Sequence, residues 1–291
     1  MPRRAASLVA LLAAGLLVLT GCRSEPEIPA EPVATGAYVA LGDSYVSGPL
    51  IDVQDPTSPA CQRSDEHNYP SLVAKELGVS SFVDVSCGGE TTAMLEDGRT
   101  FDDGTVLGPQ LDAVTSRTTL VTLGIGGNDG DAAAGLFNYC LIPASASDRS
   151  CDTFISDYMP KVYDTIRDDV TSIVRQIRKR APRAEVVMTG YLRIAPEQGD
   201  CAALPLSSIR RKATLAWEAG INDALRDVAE RTKARFVDVR GISRGHDACA
   251  GDEAWVNGVE NAPDGDGAFL HPTAAGMEQV ARLVVKAARA G

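Results

Sequence analysis

Four short blocks carry side chains able to do chemistry. Ser44 lies in Gly42-Asp43-Ser44-Tyr45-Val46-Ser47-Gly48, directly after an apolar run. A serine there, among small residues, can turn its hydroxyl toward a cleft. The second block is Cys87-Gly88-Gly89-Glu90-Thr91-Thr92. The third is Gly124-Ile125-Gly126-Gly127-Asn128-Asp129, and the last is His271-Pro272-Thr273-Ala274-Ala275-Gly276. A hydroxyl, an imidazole, a carboxamide and glycine-rich backbone are the types that acyl transfer requires: a nucleophile, a base and donors for an oxyanion. Each block also has a plain reading. Gly-Asp-Ser and Gly-Gly are ordinary turns, and an asparagine tolerates the left-handed region.

The elements that would hold these blocks are legible as alternating patterns. Near-continuous apolar runs at Tyr38–Leu41, Phe82–Val85, Leu120–Leu123, Glu185–Thr189 and Arg235–Val239 predict five strands covered on both faces. Between them, Asp157–Arg180 repeats Tyr158, Val162, Ile166, Val170, Ile173, Val174 and Ile177 at helical steps, and Ala181-Pro182 stops it. A second helix is predicted over Ser207–Thr232, with Ile209 on its apolar side, and a third after Pro272. Alternating strand and helix predicts a parallel α/β sheet with helices on both faces. The long loops 48–68, 137–157 and 240–271 would build a pocket beyond the strand ends. Leu50, Ile51, Leu136 and Phe137 are candidates for an apolar acyl site within it.

Taken together and in order, the four blocks resemble those of the SGNH hydrolases, the GDSL esterase and lipase family. Cys61 with Asn68-Tyr69-Pro70, and Gly245-His246-Asp247-Ala248-Cys249, resemble its secreted actinobacterial branch. The resemblance spans roughly residues 37–288. It implies a flavodoxin-like three-layer α/β/α sandwich with a five-stranded parallel sheet, which agrees with the elements above. It implies a carboxylic ester hydrolase in which Ser44 is the nucleophile and His271 the general acid and base. The amide N–H of Ser44, the N–H of Gly89 and the side chain of Asn128 would form the oxyanion hole. One position departs from the family. Ala268 stands where an aspartate usually orients the histidine. Its backbone carbonyl is the expected substitute, with Asp266 or Asp264 as alternatives. The expected substrates are esters of lipids or acylated glycans; an envelope acyltransferase and a non-catalytic binding lipoprotein are the other readings.

The N-terminus reads as an address. Residues 1–21 have a basic head, Arg3-Arg4, and an apolar stretch from Ala5 to Leu19, as in a secretory signal. Leu19-Thr20-Gly21-Cys22 resembles a lipobox, which predicts cleavage before Cys22 and a lipid on its thiol. Residues 22–36 are rich in Pro and Glu and read as a tether. The catalytic domain is expected over 37–291, on the outer face of the membrane.

Seven cysteines are then one anchor plus six. Six allow fifteen pairings, and the resemblance selects Cys61–Cys87, Cys140–Cys151 and Cys201–Cys249. His246 and His67 read as loop residues. Neither the three histidines nor Asp264-Gly265-Asp266-Gly267 has metal-ligand spacing, so no metal or cofactor is expected. Net charge is −11 and aromatics are 5%, which argues against a nucleic-acid partner. A monomer is expected.

Overall fold

The computed structural model describes Met1 and residues 36–142, 146–262 and 264–290. The expected signal peptide 1–21, Cys22 and the tether 22–36 lie outside the described residues, Met1 and Gly36 excepted. The chain divides into two units, Met1–Glu31 and Pro32–Gly291; the second is described below.

Five strands form one parallel sheet: β1 (Ala37–Gly42), β2 (Ser81–Asp84), β3 (Thr118–Gly124), β4 (Glu185–Thr189) and β5 (Arg235–Val237), in the order 2-1-3-4-5. Val39 pairs with Val83 on one side and Val121 on the other, and Val121 pairs with Val186. Tyr38, Ala40, Leu41 and Val121 are buried. Each large apolar side chain so buried contributes about 1.5–3 kcal/mol. Parallel strands need crossovers, and helices supply them. α1 (Ser44–Ser47) is a single turn. α2 (Tyr69–Leu77) starts at Asn68, whose side chain accepts from Ser71 N, and ends at Gly78. α3 (Met159–Arg180) packs on α4 (Ser208–Thr232), and α2 packs on α5 (Ala274–Arg289). The strand order reverses between β1 and β3. At such a switch point the following loops part and leave a crevice at the carboxyl ends.

Several expected details change. β2 lies at the edge of the sheet, and exposed Ser81 and Val83 alternate with Phe82 and Asp84, so one of its faces lacks full cover. β5 ends at Val237, because Asp238 accepts from Gly241 N and caps a short helix over Val239–Ile242. α3 begins at Met159, two residues after the expected start at Asp157. Pro160 has no N–H to continue a ladder from the π-helical turns of Phe154–Tyr158. Tyr158 therefore leaves the apolar stripe, and its hydroxyl donates to Gly130 O at 3.1 Å. Ile209 is likewise exposed. The 137–157 segment contains helical stretches, Leu136–Leu141 and Asp148–Thr153. Buried Arg210 ties them together, donating to Cys140 O and to Asp148.

The six cysteines pair in chain order, Cys61–Cys87, Cys140–Cys151 and Cys201–Cys249. The first joins the loop after α1 to the loop after β2. The third joins the loops after β4 and β5. The second joins the two helical stretches after β3, and both of its cysteines are buried in the hydrophobic core.

Candidate active site

Three strands end at the same crevice, and each delivers one block. β1 ends at Gly42, where a side chain would collide with Val46 and with the carbonyl of Gly124. Gln110 clamps this glycine from both sides, accepting from its N–H at 2.8 Å and donating to its C=O at 3.0 Å. Asp43 N then donates to Gly124 O of β3, and the Asp43 carboxylate accepts from Tyr45 N at 2.9 Å. That cap starts α1 at Ser44 and leaves Ser44 half-buried at its first position. After β2, Cys87 N donates to Gly42 O, and Gly89 takes a positive φ of 74°. After β3, Gly127 N donates to the Tyr191 hydroxyl at 2.6 Å, and Asn128 Nδ2 donates to Glu90 O at 2.9 Å. Among the described residues, no partner is found for the amide N–H of Ser44 or of Gly89. Both residues line the same cavity as Asn128.

His271 arrives from the other side, on the turn before α5. Its Nε2 is 2.8 Å from Ser44 Oγ. Its Nδ1 is 2.7 Å from the carbonyl of Phe269. A carbonyl carries no proton, so Nδ1 must be the donor. The neutral ring then presents the Nε2 lone pair to Ser44, which is the tautomer a base needs.

The orienting carbonyl is thus that of Phe269 and not the expected one of Ala268. The turn geometry explains the difference. Ala268 O accepts from His271 N at 3.2 Å, closing a four-residue turn, and also from Asn257 Nδ2 at 3.3 Å. Leu270, the third residue of that turn, has φ +58°, as turns with a left-handed third residue require. The first carbonyl is consumed by the turn, and the second is free to face the imidazole. Asp266 is not the orienter either. Its Oδ1 accepts from Ala274 N at 2.5 Å, at the start of α5. Asp264 makes no bond to the ring; among the described residues, the ring nitrogens bond Ser44 and Phe269.

Electrostatics favour a neutral base. Burial lowers the His271 pKa below its ordinary 6.5, opposed by the Phe269 carbonyl. Asp43 is buried beneath the serine, and its carboxyl is pushed up to about 7 by desolvation, against the hydroxyl of Tyr191 at 2.5 Å. Glu90 is likewise pushed up by burial to about 7, against the pull of Arg99. Burial also raises Tyr45 and Tyr191, which therefore stay protonated and able to donate. Tyr45 donates to Leu270 O at 2.6 Å, and its ring lies 5.3 Å from that of His271.

The cavity beside the serine has a volume of about 390 Å³. Its walls are largely apolar, from Leu136, Phe137, Leu141, Ile194, Trp217 and Phe269. Of the four expected acyl-site residues, Leu136 and Phe137 line it. Ile51 is buried in the core, and Leu50 points outward. His246 does not reach the site: its Nδ1 bonds Glu253 O at 2.7 Å and its ring stacks on Trp255. His67 pairs with Asp52 away from the cavity. Reading the residues missed Tyr191, Gln110, Trp217 and Phe269. Tyr191 had a signal, since it follows a strand end. Gln110 and Trp217 had none.

A hydroxyl on a neutral imidazole, beside free N–H groups and an apolar cavity, can form and resolve an acyl-enzyme. Comparison with known proteins agrees. Residues 40–279 match the GDSL-like lipase/acylhydrolase family. Lipase 2 of Streptomyces coelicolor is 35% identical over 269 residues, covering 87% of this chain and 86% of that protein. A lipase of Streptomyces rimosus is 33% identical over 279 residues, covering 96% of each. Among solved structures, phospholipase A1 of Streptomyces albidoflavus superposes with a TM-score of 0.74 at 30% identity, covering 87% of this chain and 99% of that one.

Proposed function

Because this chain belongs to the GDSL-like lipase/acylhydrolase family and is a carboxylic ester hydrolase, we propose that it cleaves lipid esters at the cell envelope through an acyl-enzyme on Ser44. The observation that carries this is the 2.8 Å contact of Ser44 Oγ with His271 Nε2, with Nδ1 on a carbonyl. His271 takes the hydroxyl proton as Oγ attacks the ester carbon. The carbonyl oxygen becomes an oxyanion, held by the N–H groups of Ser44 and Gly89 and by Asn128. The intermediate collapses, the ester C–O bond breaks, and the alcohol leaves with the proton from Nε2. A water then gives its proton to His271 as it attacks the acyl carbon, the Oγ–C bond breaks, the acid leaves, and Nε2 returns the proton to Ser44 Oγ. Phe269 O holds the imidazolium by a dipole where a triad would use a carboxylate.

The apolar cavity walls and the lipase names of the relatives favour lipids over acylated glycans. Envelope location is proposed from residues 1–21 and the lipobox ending at Cys22. Lipidated Cys22 would hold the domain at the outer face of the membrane.

The test is a chain-length series of aryl esters with the wild type and Ser44→Ala, alongside labelling by a fluorophosphonate. Turnover that vanishes in Ser44→Ala, with label on Ser44, supports the proposal. Undiminished turnover in that variant overturns it. Product analysis with added sugar acceptors separates hydrolysis from acyl transfer. Cys22→Ser should release the protein from the membrane fraction; retention there would overturn the anchor.

A further inference from the structure

The oxyanion peptide itself has a support that the chemistry above does not use. Gly88 and Gly89 have no side chains to fix the plane of the peptide between them, and Gly89 sits at φ +74°. Glycine backbone is free to rotate at little steric cost, yet an oxyanion donor works only when held in place beforehand. Arg99 meets this need. Its Nη2 donates to Gly88 O at 2.7 Å. Among the described residues, no other donor is found on that oxygen.

The peptide between Gly88 and Gly89 is trans. Its C=O and N–H therefore point to opposite sides. With the guanidinium fastened to Gly88 O, the Gly89 N–H must face away from Arg99.

The guanidinium is itself immobilised. Nη2 is also 2.9 Å from Cys87 Sγ, and Nε is 3.4 Å from Glu90 Oε2. Its Cζ lies 4.2 Å from the centroid of the Phe101 ring, a cation–π contact. A hydrogen bond from a cation to a carbonyl polarises the whole amide, which makes its N–H a stronger donor.

We propose that Arg99 is a positioning residue that holds and polarises the Gly88–Gly89 peptide, so that Gly89 N–H is presented to the developing oxyanion. This rests on the reading of Gly89 as an oxyanion donor. Arg99 does not line the cavity beside the serine, and it acts through Gly89. The site thus has a positive charge set behind one of its neutral donors, with a single nitrogen, Nη2, donating to both the carbonyl and the sulfur.

The test compares Arg99→Met and Arg99→Lys with the wild type by kcat, KM and thermal midpoint. It adds inhibition by an alkylboronic acid, which forms a tetrahedral anion on a serine. For Arg99→Met, kcat is expected to fall about ten- to a hundred-fold, less than the full loss of a donor, with KM within about two-fold. The boronate inhibition constant should rise by the same factor as kcat falls. Arg99→Lys, or millimolar guanidinium added to Arg99→Ala, should recover part of the loss. Arg99–Thr100 also pairs antiparallel with Val106–Leu107 in a short hairpin; if Arg99 only fastens that hairpin, stability falls while kcat and boronate affinity hold, and that result overturns the inference.

Should Arg99→Met fail to fold with Glu90 left alone, Glu90→Gln/Arg99→Met is compared with Glu90→Gln, and the difference reads Arg99. Asn128→Ala is measured in parallel. Weakened boronate binding there with none in the Arg99 variants sinks this inference alone. Unchanged boronate binding in Asn128→Ala as well sinks the reading of the oxyanion hole.

Discussion

Replacing Asn128 by alanine should separate two functions of one side chain. One amide hydrogen of Nδ2 is used on Glu90 O at 2.9 Å. The second is left for the cavity that Asn128 lines with Ser44 and Gly89. The first bond is a neutral one, worth about 0.5–1.5 kcal/mol net to stability. For a domain of this size that lowers the thermal midpoint by roughly 1–6 °C. The second acts at the transition state, where losing one such donor costs about 2.7–4 kcal/mol, or 10²–10³ in kcat. KM should stay within about three-fold, because the planar ester oxygen has not yet moved to where the oxyanion sits. Steady-state kinetics on an aryl ester and a melting curve give both numbers from one variant. Asn128→Asp keeps the shape but removes both donors and adds negative charge, so its kcat should be lower still. A kcat loss under ten-fold in Asn128→Ala, with the midpoint shifted as expected, would refute the donor role and leave only the strut to Glu90.

Asp266→Ala removes the acceptor for Ala274 N. It should cost about 1 kcal/mol as a lost helix-start bond and leave kcat within a few-fold; a loss matching His271→Ala would restore Asp266 as orienter. Asp43, Glu90 and Glu218 are each raised to about 7 by burial. A raised carboxyl binds its proton more tightly when folded, so its stabilisation is full below about pH 4 and is lost as pH rises to about 7. Stability measured in urea should therefore fall from pH 5 to pH 8, and Asp43→Asn should flatten that slope. A slope that steepens in Asp43→Asn would contradict the burial argument. Because the His271 pKa lies below 6.5, the acid limb of kcat/KM should have its midpoint under pH 6.5; an inflection above it would mean a carboxylate stabilises the imidazolium. In the chain-entropy picture, losing Cys201–Cys249, 48 residues apart, should cost about 4 kcal/mol, against about 3 for Cys140–Cys151, 11 apart. Thermal midpoints of the two double-serine variants check the order.

Local pattern carried far because strands buried on both faces must be apolar throughout. Tyr38–Leu41 and Glu185–Thr189 could be read for that reason, and β2 misled because an edge strand keeps an apolar run without full cover. Ser44, Gly89, Asn128 and His271 were legible because their blocks, in order, resemble those of the family; their places at strand ends or before a helix only agreed with it. Gln110 was not. It sits 68 residues from the glycine it clamps, and no local rule marks a glutamine for that task.

The His271 orienter shows where the two kinds of information part. The family resemblance marked position 268 as the orienter's place, and alanine there offers no carboxylate, so a backbone carbonyl was the leading candidate. Which carbonyl depended on the turn. Two neighbouring peptides have the same chemistry, and their direction is set by dihedral angles that distant contacts hold. Tyr45 O–H on Leu270 O, 225 residues apart, and Leu270 N on Gly258 O keep Leu270 at φ +58°. That rotation is a property of packing, which turns Phe269 O toward the imidazole and leaves Ala268 O inside the turn. The amino-acid order determined the set of groups able to do acyl chemistry and the strand ends that carry them. The tertiary structure decided their directions, because a backbone dipole acquires an orientation only when the chain around it is folded.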